Sequence, residues 1–423
     1  MRLQQFNLKQ HVKLSSSLIA LIILSISTGC QSLKSITSGS SSENSTTAKS
    51  HKELVKAQKR LQSEADLPFR GLDTSAHIQT IAFGSCANQD KPQPIWSTIL
   101  KQNPDLFLFM GDNVYASRPE QKPLSEQYKK LNRIPEYRAI RERVPFMAIW
   151  DDHDYGSNDS GKDNPDKEQT RKEFLKYWSY LNQTLPPNQK ALYHSKIFGS
   201  KKQTVQVIFL DTRWDRSPLK KISDTAALTT PSLITPNETT ANQPTVTTPT
   251  VNTESALAVK KIKGEYEADT SPDKHFLSEQ QWQWLESELK KPAALKVLVS
   301  SIQVIANDHH FEKWGNFPLE RERLLNLIQK TKSKNLVILS GDRHAASIAK
   351  LVTKKSGTLY DITASALNKE AKEGNELNDS TYLSEAFGEP NFGLLKINWN
   401  QKKALIEIRS QQDEVKQSVE VNF

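Results

Sequence analysis

Residues 106–115 read Leu106-Phe107-Leu108-Phe109-Met110 and then Gly111-Asp112-Asn113-Val114-Tyr115. An unbroken apolar run of strand length fits a strand buried on both faces, as in a parallel sheet covered by helices. The abrupt change to glycine and polar residues marks its carboxyl end. The same pattern recurs along the chain. Ile81-Ala82-Phe83 ends in Gly84-Ser85-Cys86, and Phe146–Trp150 ends in Asp151-Asp152-His153-Asp154. Val207–Leu210 ends in Asp211-Thr212-Arg213, and Leu336–Ser340 ends in Gly341-Asp342-Arg343-His344. In parallel α/β sheets ligands bind where the strands' carboxyl ends converge. Five runs therefore deliver Cys, Asp, Tyr, His and Arg side chains to one edge.

One Asp after a strand is ordinary turn chemistry. Five such ends, rich in metal-ligating types, ask for another explanation. Carboxylates gathered without countercharge repel one another, so multivalent cations are implied. Asp152–Asp159 does not follow the EF-hand spacing, because Gly156 sits where a ligand is needed. The expectation is a dinuclear or larger metal centre.

In all, apolar runs of strand length lie at 78–84, 105–110, 146–150, 205–210, 295–300 and 335–340. Between them, period-3.6 patterns predict helices over Pro94–Lys101, Pro135–Arg143, Glu168–Leu181, Ser278–Lys290 and Pro318–Lys330. Ser278 followed by Gln281 reads as a capping box. Strands alternating with helices predict an α/β domain with a largely parallel sheet. Leu394–Trp399, Ala404–Arg409 and Val415–Val421 read as strands without helices, an added antiparallel section.

The 423 residues are 36% apolar and 25% charged, enough for a sizeable core, and no internal apolar run reaches the roughly 18–20 residues of a membrane span. A polytopic membrane protein, a collagen and a disulfide-stapled mini-protein are excluded. The net charge is +9, but Arg2, Lys9 and Lys13 lie in the first 29 residues, and the rest is spread without a Lys/Arg run. No nucleic-acid partner is indicated.

Those first residues have export-signal architecture: three positive charges, the apolar core Leu18–Leu24, then Ser27-Thr28-Gly29 before Cys30. Small residues ending in Cys resemble a bacterial lipoprotein signal, with residues 1–29 removed and lipid placed on Cys30. The alternative is an ordinary signal peptide with a nearby Cys. Residues 30–66 read as a polar tether with a short helix, and 67–423 as the folded domain. That domain is interrupted at about 221–255 by a stretch with eleven Thr and four Pro, read as a disordered insertion. The expected location is the bacterial cell envelope, membrane-anchored through lipid. Cys86, the only other cysteine, then lacks a partner in the chain. It is either a small buried residue or a metal ligand.

The motifs GSC, GDNVY, WDDHDYGSND, LDTRW, SSIQ, EKWGNFP and SGDRH, in this order over roughly 78–368, resemble those of the alkaline phosphatase D (PhoD-like) metallophosphatases. That family is itself similar to the wider calcineurin-like metallophosphoesterases. The resemblance implies an α/β fold, a four-layer α/β/β/α sandwich with two mixed β-sheets and metals at the strand ends. It implies a metal-dependent phosphoric ester hydrolase. Asp112 would bridge two metals, and Cys86, Tyr115 and His344 would complete the shell of an iron(III). Asp342 and Asp152 would hold a harder cation such as calcium. His153 would act as general acid or phosphate orienter, the alternative being a structural His. Arg213 would clamp a phosphoryl oxygen, the alternative being a salt bridge to Asp211 or Asp215. Asn113 and Arg343 would meet the substrate.

Ser300-Ser301-Ile302-Gln303 stands where the wider superfamily has a metal-binding His. His309 and His310 read as surface or rim residues, and Trp150 and Trp314 as core or pocket wall. The implied reaction is attack of a metal-activated water on a phosphate monoester or diester, phospholipids and envelope polymers included, without a phosphoenzyme. A non-catalytic metal-binding lipoprotein is the remaining alternative.

Overall fold

Every residue of Leu106–Met110, Phe146–Ile149, Leu295–Val299 and Leu336–Ser340 is buried, as apolar runs covered on both faces must be. The computed structural model describes residues 69–117, 123–222, 264–353, 357–372 and 377–423. The expected lipid site at Cys30, the signal and the whole tether fall outside them. So does the 221–255 insertion beyond Ile222.

The strands, in chain order, are β1 (Thr80–Gly84), β2 (Leu106–Met110), β3 (Phe146–Ile149), β4 (His194–Ser200), β5 (Gln203–Phe209), β6 (Lys220–Lys221) and β7 (Tyr266–Glu267). They continue with β8 (Leu295–Val299), β9 (Leu336–Ser340), β10 (Ala346–Thr353), β11 (Gly357–Ala364), β12 (Asn391–Asn398), β13 (Lys403–Ser410) and β14 (Val415–Asn422). Two six-stranded mixed sheets result, ordered β14-β13-β12-β1-β2-β3 and β10-β11-β9-β8-β5-β4, while β6 and β7 form a small ribbon. The pairs β1/β2, β2/β3, β5/β8, β8/β9 and β9/β11 are parallel.

Side chains alternate across a strand, and the second sheet uses both faces. Val205, Val207, Phe209, Val297, Val299, Val337 and Leu339 share one core with Ile81, Phe83, Phe107 and Phe109 of the first sheet. Ile208, Leu298 and Ile338 point the other way, into a second core with Trp282, Leu285 and Leu289 of helix Glu279–Lys290 and Leu324 and Ile328 of helix Pro318–Lys330. Helices Ile95–Lys101 and Pro135–Arg143 cover the first sheet through Trp96, whose ring lies 5.2 Å from Phe107 and 5.3 Å from Tyr137. Helix, sheet, sheet and helix make the four layers. Each fully buried aromatic adds about 1.5–3 kcal/mol relative to exposure.

The predicted strands and helices appear within a few residues of their expected bounds, with three differences. The C-terminal strands β12–β14 are antiparallel but form no separate section: β12 pairs with β1 and continues the first sheet. Ser278 accepts the Gln281 N–H at 3.4 Å, yet the Gln281 amide turns away to the Asp211 backbone, so the capping box is half formed. Strands β4, β10 and β11 and helix Leu124–Asn132 have no counterpart in the sequence reading.

Candidate metal centre

Four of the expected metal ligands share a backbone property. Cys86, Asp112, Asp342 and His344 all have positive φ, at 63°, 48°, 67° and 56°. Such values are uncommon outside glycine and turn a side chain sharply off the strand axis. Gly111 precedes Asp112 with φ 105°, and a Cβ there would stand 2.5 Å from the Asp151 Cβ. Only glycine lets the β2 and β3 ends come this close.

Asp154 locks those two ends together. Its carboxylate accepts from the backbone N–H groups of Asn113, Val114 and Asp151 at 3.1 Å each. Burial outweighs these bonds and pushes its carboxyl up to about 7.

Two of the iron-set side chains, Cys86 and His344, converge on Asp112, and Tyr115 meets His344. The Cys86 thiol stands 3.5 Å from Asp112 Oδ2 and 3.2 Å from Ser365 Oγ, and Cys86, Asp112 and His344 bring ligand atoms within 4.8 Å of one another. The Tyr115 hydroxyl lies 3.0 Å from His344 Nε2. Asp112, Asp152 and His153 form a second such group, and Asp151, Asp152 and Asp342 a third. A fourth joins Asp159, Glu312 and Asp342. The groups share Asp112, Asp152 and Asp342, so they form a chain of adjoining sites.

Electrostatics in the metal-free protein register the crowding. Burial, and then Asp152, hold the Asp112 carboxyl well above its ordinary value; burial, and then Asp151, do the same to Asp342. Burial and the Asp112 charge push the Cys86 thiol and the Tyr115 phenol well up. Asp152 moves the other way: burial opposes its charge, but His153 and Arg213 prevail. Burial holds the His344 imidazole down to about 3, hence neutral and free to ligate. Thiol, phenol, imidazole and carboxylates packed this closely fit a cluster of bound metal ions.

His153 lies beside the group, its ring centroid 4.4 Å from that of Tyr115 and its Nδ1 2.7 Å from Ser117 Oγ. Arg343 is nearly buried and stacks on Phe311 at 4.5 Å.

Two expected substrate contacts are differently employed. Arg213 is fully buried, and its guanidinium is bound to Asp151 (2.6 Å) and to both Glu312 oxygens (3.0 and 2.7 Å). The salt-bridge alternative is the arrangement seen, with partners other than the expected Asp211 or Asp215. Asp211 caps the backbone N–H groups of Arg213 and Trp214 at 3.0 Å. Asn113 is fully buried too, its amide donating to the Ile149 carbonyl and to Asp154. Its amide N–H groups tie the β2 and β3 loops together.

Gln303 donates to Thr363 and Tyr382 and accepts from His309 Nε2 at 2.9 Å. His309 is therefore buried, not a rim residue. Ser301, two residues earlier, donates to Asp151 at 2.5 Å. Trp150 and Trp314 are core residues. Asp151, Asp159 and Glu312 received no role from the sequence, although WDDHD, GSND and EKWGNFP contain them.

Comparison with known proteins agrees with this arrangement. A family profile described as PhoD-like phosphatase matches residues 81–419. Alkaline phosphatase D of Bacillus subtilis is 22% identical over 310 residues, which are 63% of this chain and 46% of that protein. The chain thus spans about half the length of this curated relative. The solved structure of PhoD superposes with a TM-score of 0.56 at 16% identity, covering 82% of this chain and 69% of that one. A dimetal phosphatase from Danio rerio covers 82% of this chain and all of its own, with a TM-score of 0.47 and 11% identity.

Proposed function

The chain belongs to the PhoD-like phosphatase family, and from that premise we propose that it is a metal-dependent hydrolase of phosphate esters. One observation carries the reading: four groups of three ligand side chains, each within 4.8 Å, linked through shared carboxylates. Cys86, Asp112, Tyr115 and His344 combine thiolate, carboxylate, phenolate and imidazole, a set suited to iron(III). Asp112, Asp151, Asp152 and Asp342 offer oxygen alone, a set suited to calcium or a similar hard cation. When bound, such ions acidify water and offset charge on the phosphoryl oxygens.

The chain's own residues supply the rest. His153, its Nδ1 2.7 Å from Ser117 Oγ, gives a proton to the departing alkoxide. Arg343, held over Phe311 beside His344, favours an anionic ester. No side chain is the nucleophile: Cys86 is buried among ligands, and water cleaves the P–O bond without a phosphoenzyme.

Purification with metals retained, elemental analysis and a visible spectrum test the assignment. The expected result is iron with a tyrosinate absorption that Tyr115→Phe abolishes. A colourless zinc protein overturns the ligand assignment, and a trapped phosphoenzyme overturns the reaction. Export and lipid on Cys30 belong to the same proposal. Radiolabelled palmitate should enter the wild type in bacterial cells and not Cys30→Ala.

A further inference from the structure

We propose that Lys369 is a substrate-binding residue that favours phosphate monoesters over diesters, which rests on the hydrolase reading above. Its ammonium lies 5.5 Å from the centre of the Tyr115 ring, whose hydroxyl meets His344. The side chain is half-buried at the rim of the ligand cluster. It makes no ion pair among the described residues. The adjoining acid, Glu370, is turned outward to Lys91 at 3.4 Å.

The loop that carries Lys369 is fastened at every side to the segments that carry the metal ligands. Ser365 bridges to Ser85, and the Leu367 N–H donates to the Ser85 carbonyl at 3.0 Å. The Asn368 N–H reaches the Cys86 carbonyl at 3.4 Å. The Asn368 amide accepts from the Asn88 N–H at 2.6 Å and donates to the carbonyls of Asn88, Lys91 and Pro92. On the far side, the Ala371 N–H donates to the His344 carbonyl at 3.0 Å. A long flexible side chain on a free surface loop would be an ordinary solvated lysine. Here its Cα is fixed relative to Cys86 and His344, so the charge is held near the cluster before any substrate arrives.

The chemistry of the ligand follows from the charge. A monoester above its second pKa, near 6, carries two negative charges and three free phosphoryl oxygens, whereas a diester carries one charge and two such oxygens. Cations at the cluster serve both esters. An additional ammonium at the rim favours the one with the extra charged oxygen.

The test uses the metal-loaded protein as wild type, Lys369→Met and Lys369→Arg. Kinetics compare p-nitrophenyl phosphate with bis(p-nitrophenyl) phosphate, and calorimetry compares orthophosphate with dimethyl phosphate. In Lys369→Met the monoester-to-diester ratio of kcat/KM should fall about tenfold, and orthophosphate affinity should weaken about tenfold relative to dimethyl phosphate. Lys369→Arg should recover most of both. Equal losses for both ligands, or none for either, overturn the inference. So does loss of the Tyr115-dependent absorption in Lys369→Met, which would make the residue part of the metal site's support. A wild type that hydrolyses neither ester sinks the hydrolase reading instead, and the calorimetric comparison still decides the role of Lys369.

Discussion

Two groups of buried charge adjoin in this protein and solve the same problem in opposite ways. In one, Arg213 and Arg216 enclose Glu312, and Arg213 also binds Asp151, with side chains no more than 1% exposed. Burial works against the Arg213 charge, but Asp151 and Glu312 more than offset it. In the other, Asp112 and Asp342 stand among further carboxylates and are held far from their ordinary acidity. The first group closes its charges with the chain's own cations. The second is left incomplete by the chain, and the difference marks where the proposed ions would bind.

The two groups should respond oppositely to substitution. The largest effect expected is on catalysis: Asp112→Ala removes the carboxylate shared by two ligand groups. Ester hydrolysis should fall by about a thousandfold or more, with metal content reduced in elemental analysis. The same change should leave the metal-free protein as stable as before or more so, because one repelling carboxylate is gone. A variant that keeps its metals and most of its activity breaks the comparison.

Arg213→Met should do the reverse to stability. It leaves Asp151 and Glu312 buried without their main countercharge, at a cost of about 3–5 kcal/mol in denaturant unfolding. If the loss is below about 1 kcal/mol, the arginine group is not the self-contained unit described here.

The smallest effect sharpens the contrast through pH. In the metal-free protein, burial raises Asp112, Asp342 and Asp154, the last to about 7. A carboxyl raised on folding stabilises the folded state below its unfolded pKa and loses that contribution as pH rises through the folded value. Chelated protein should therefore melt a few degrees lower at pH 8 than at pH 5, by calorimetry. Metal-loaded protein should not show this decline, since bound cations favour the ionised carboxylates. A chelated protein that gains stability over the same range contradicts the assignment.

How far the sequence disclosed these two groups differs as well. The ligand cluster was legible because each member follows an apolar run that only a doubly buried strand explains, as in LFLFM before Gly111-Asp112. The arginine group was not. Asp151, Arg213 and Glu312 lie on three loops, and nothing in the spacing of LDTRW or EKWGNFP says that their side chains meet. Arg213 looked like a free fork for phosphate because its partners are 62 and 99 residues away. Strand β4 escaped for a local reason: His194-Ser195-Lys196 alternates too weakly at a sheet edge, with Ser195–Ile197 only partly buried. Strand β10 has a similar ending, where Lys350–Thr353 leaves the core. His309 was misplaced because a buried imidazole facing Gln303 has the same local sequence as one facing solvent.

The left-handed backbone at Cys86, Asp112, Asp342 and His344 restricts the alphabet open to any rebuilding of this centre. Valine, isoleucine and threonine are disfavoured at all four positions on steric grounds alone, whereas asparagine, aspartate, histidine and glycine tolerate that conformation best. Three of those four types carry donor atoms. Drift at these positions is thus channelled toward other metal-binding side chains, so a change of ion is a shorter mutational path than its abandonment.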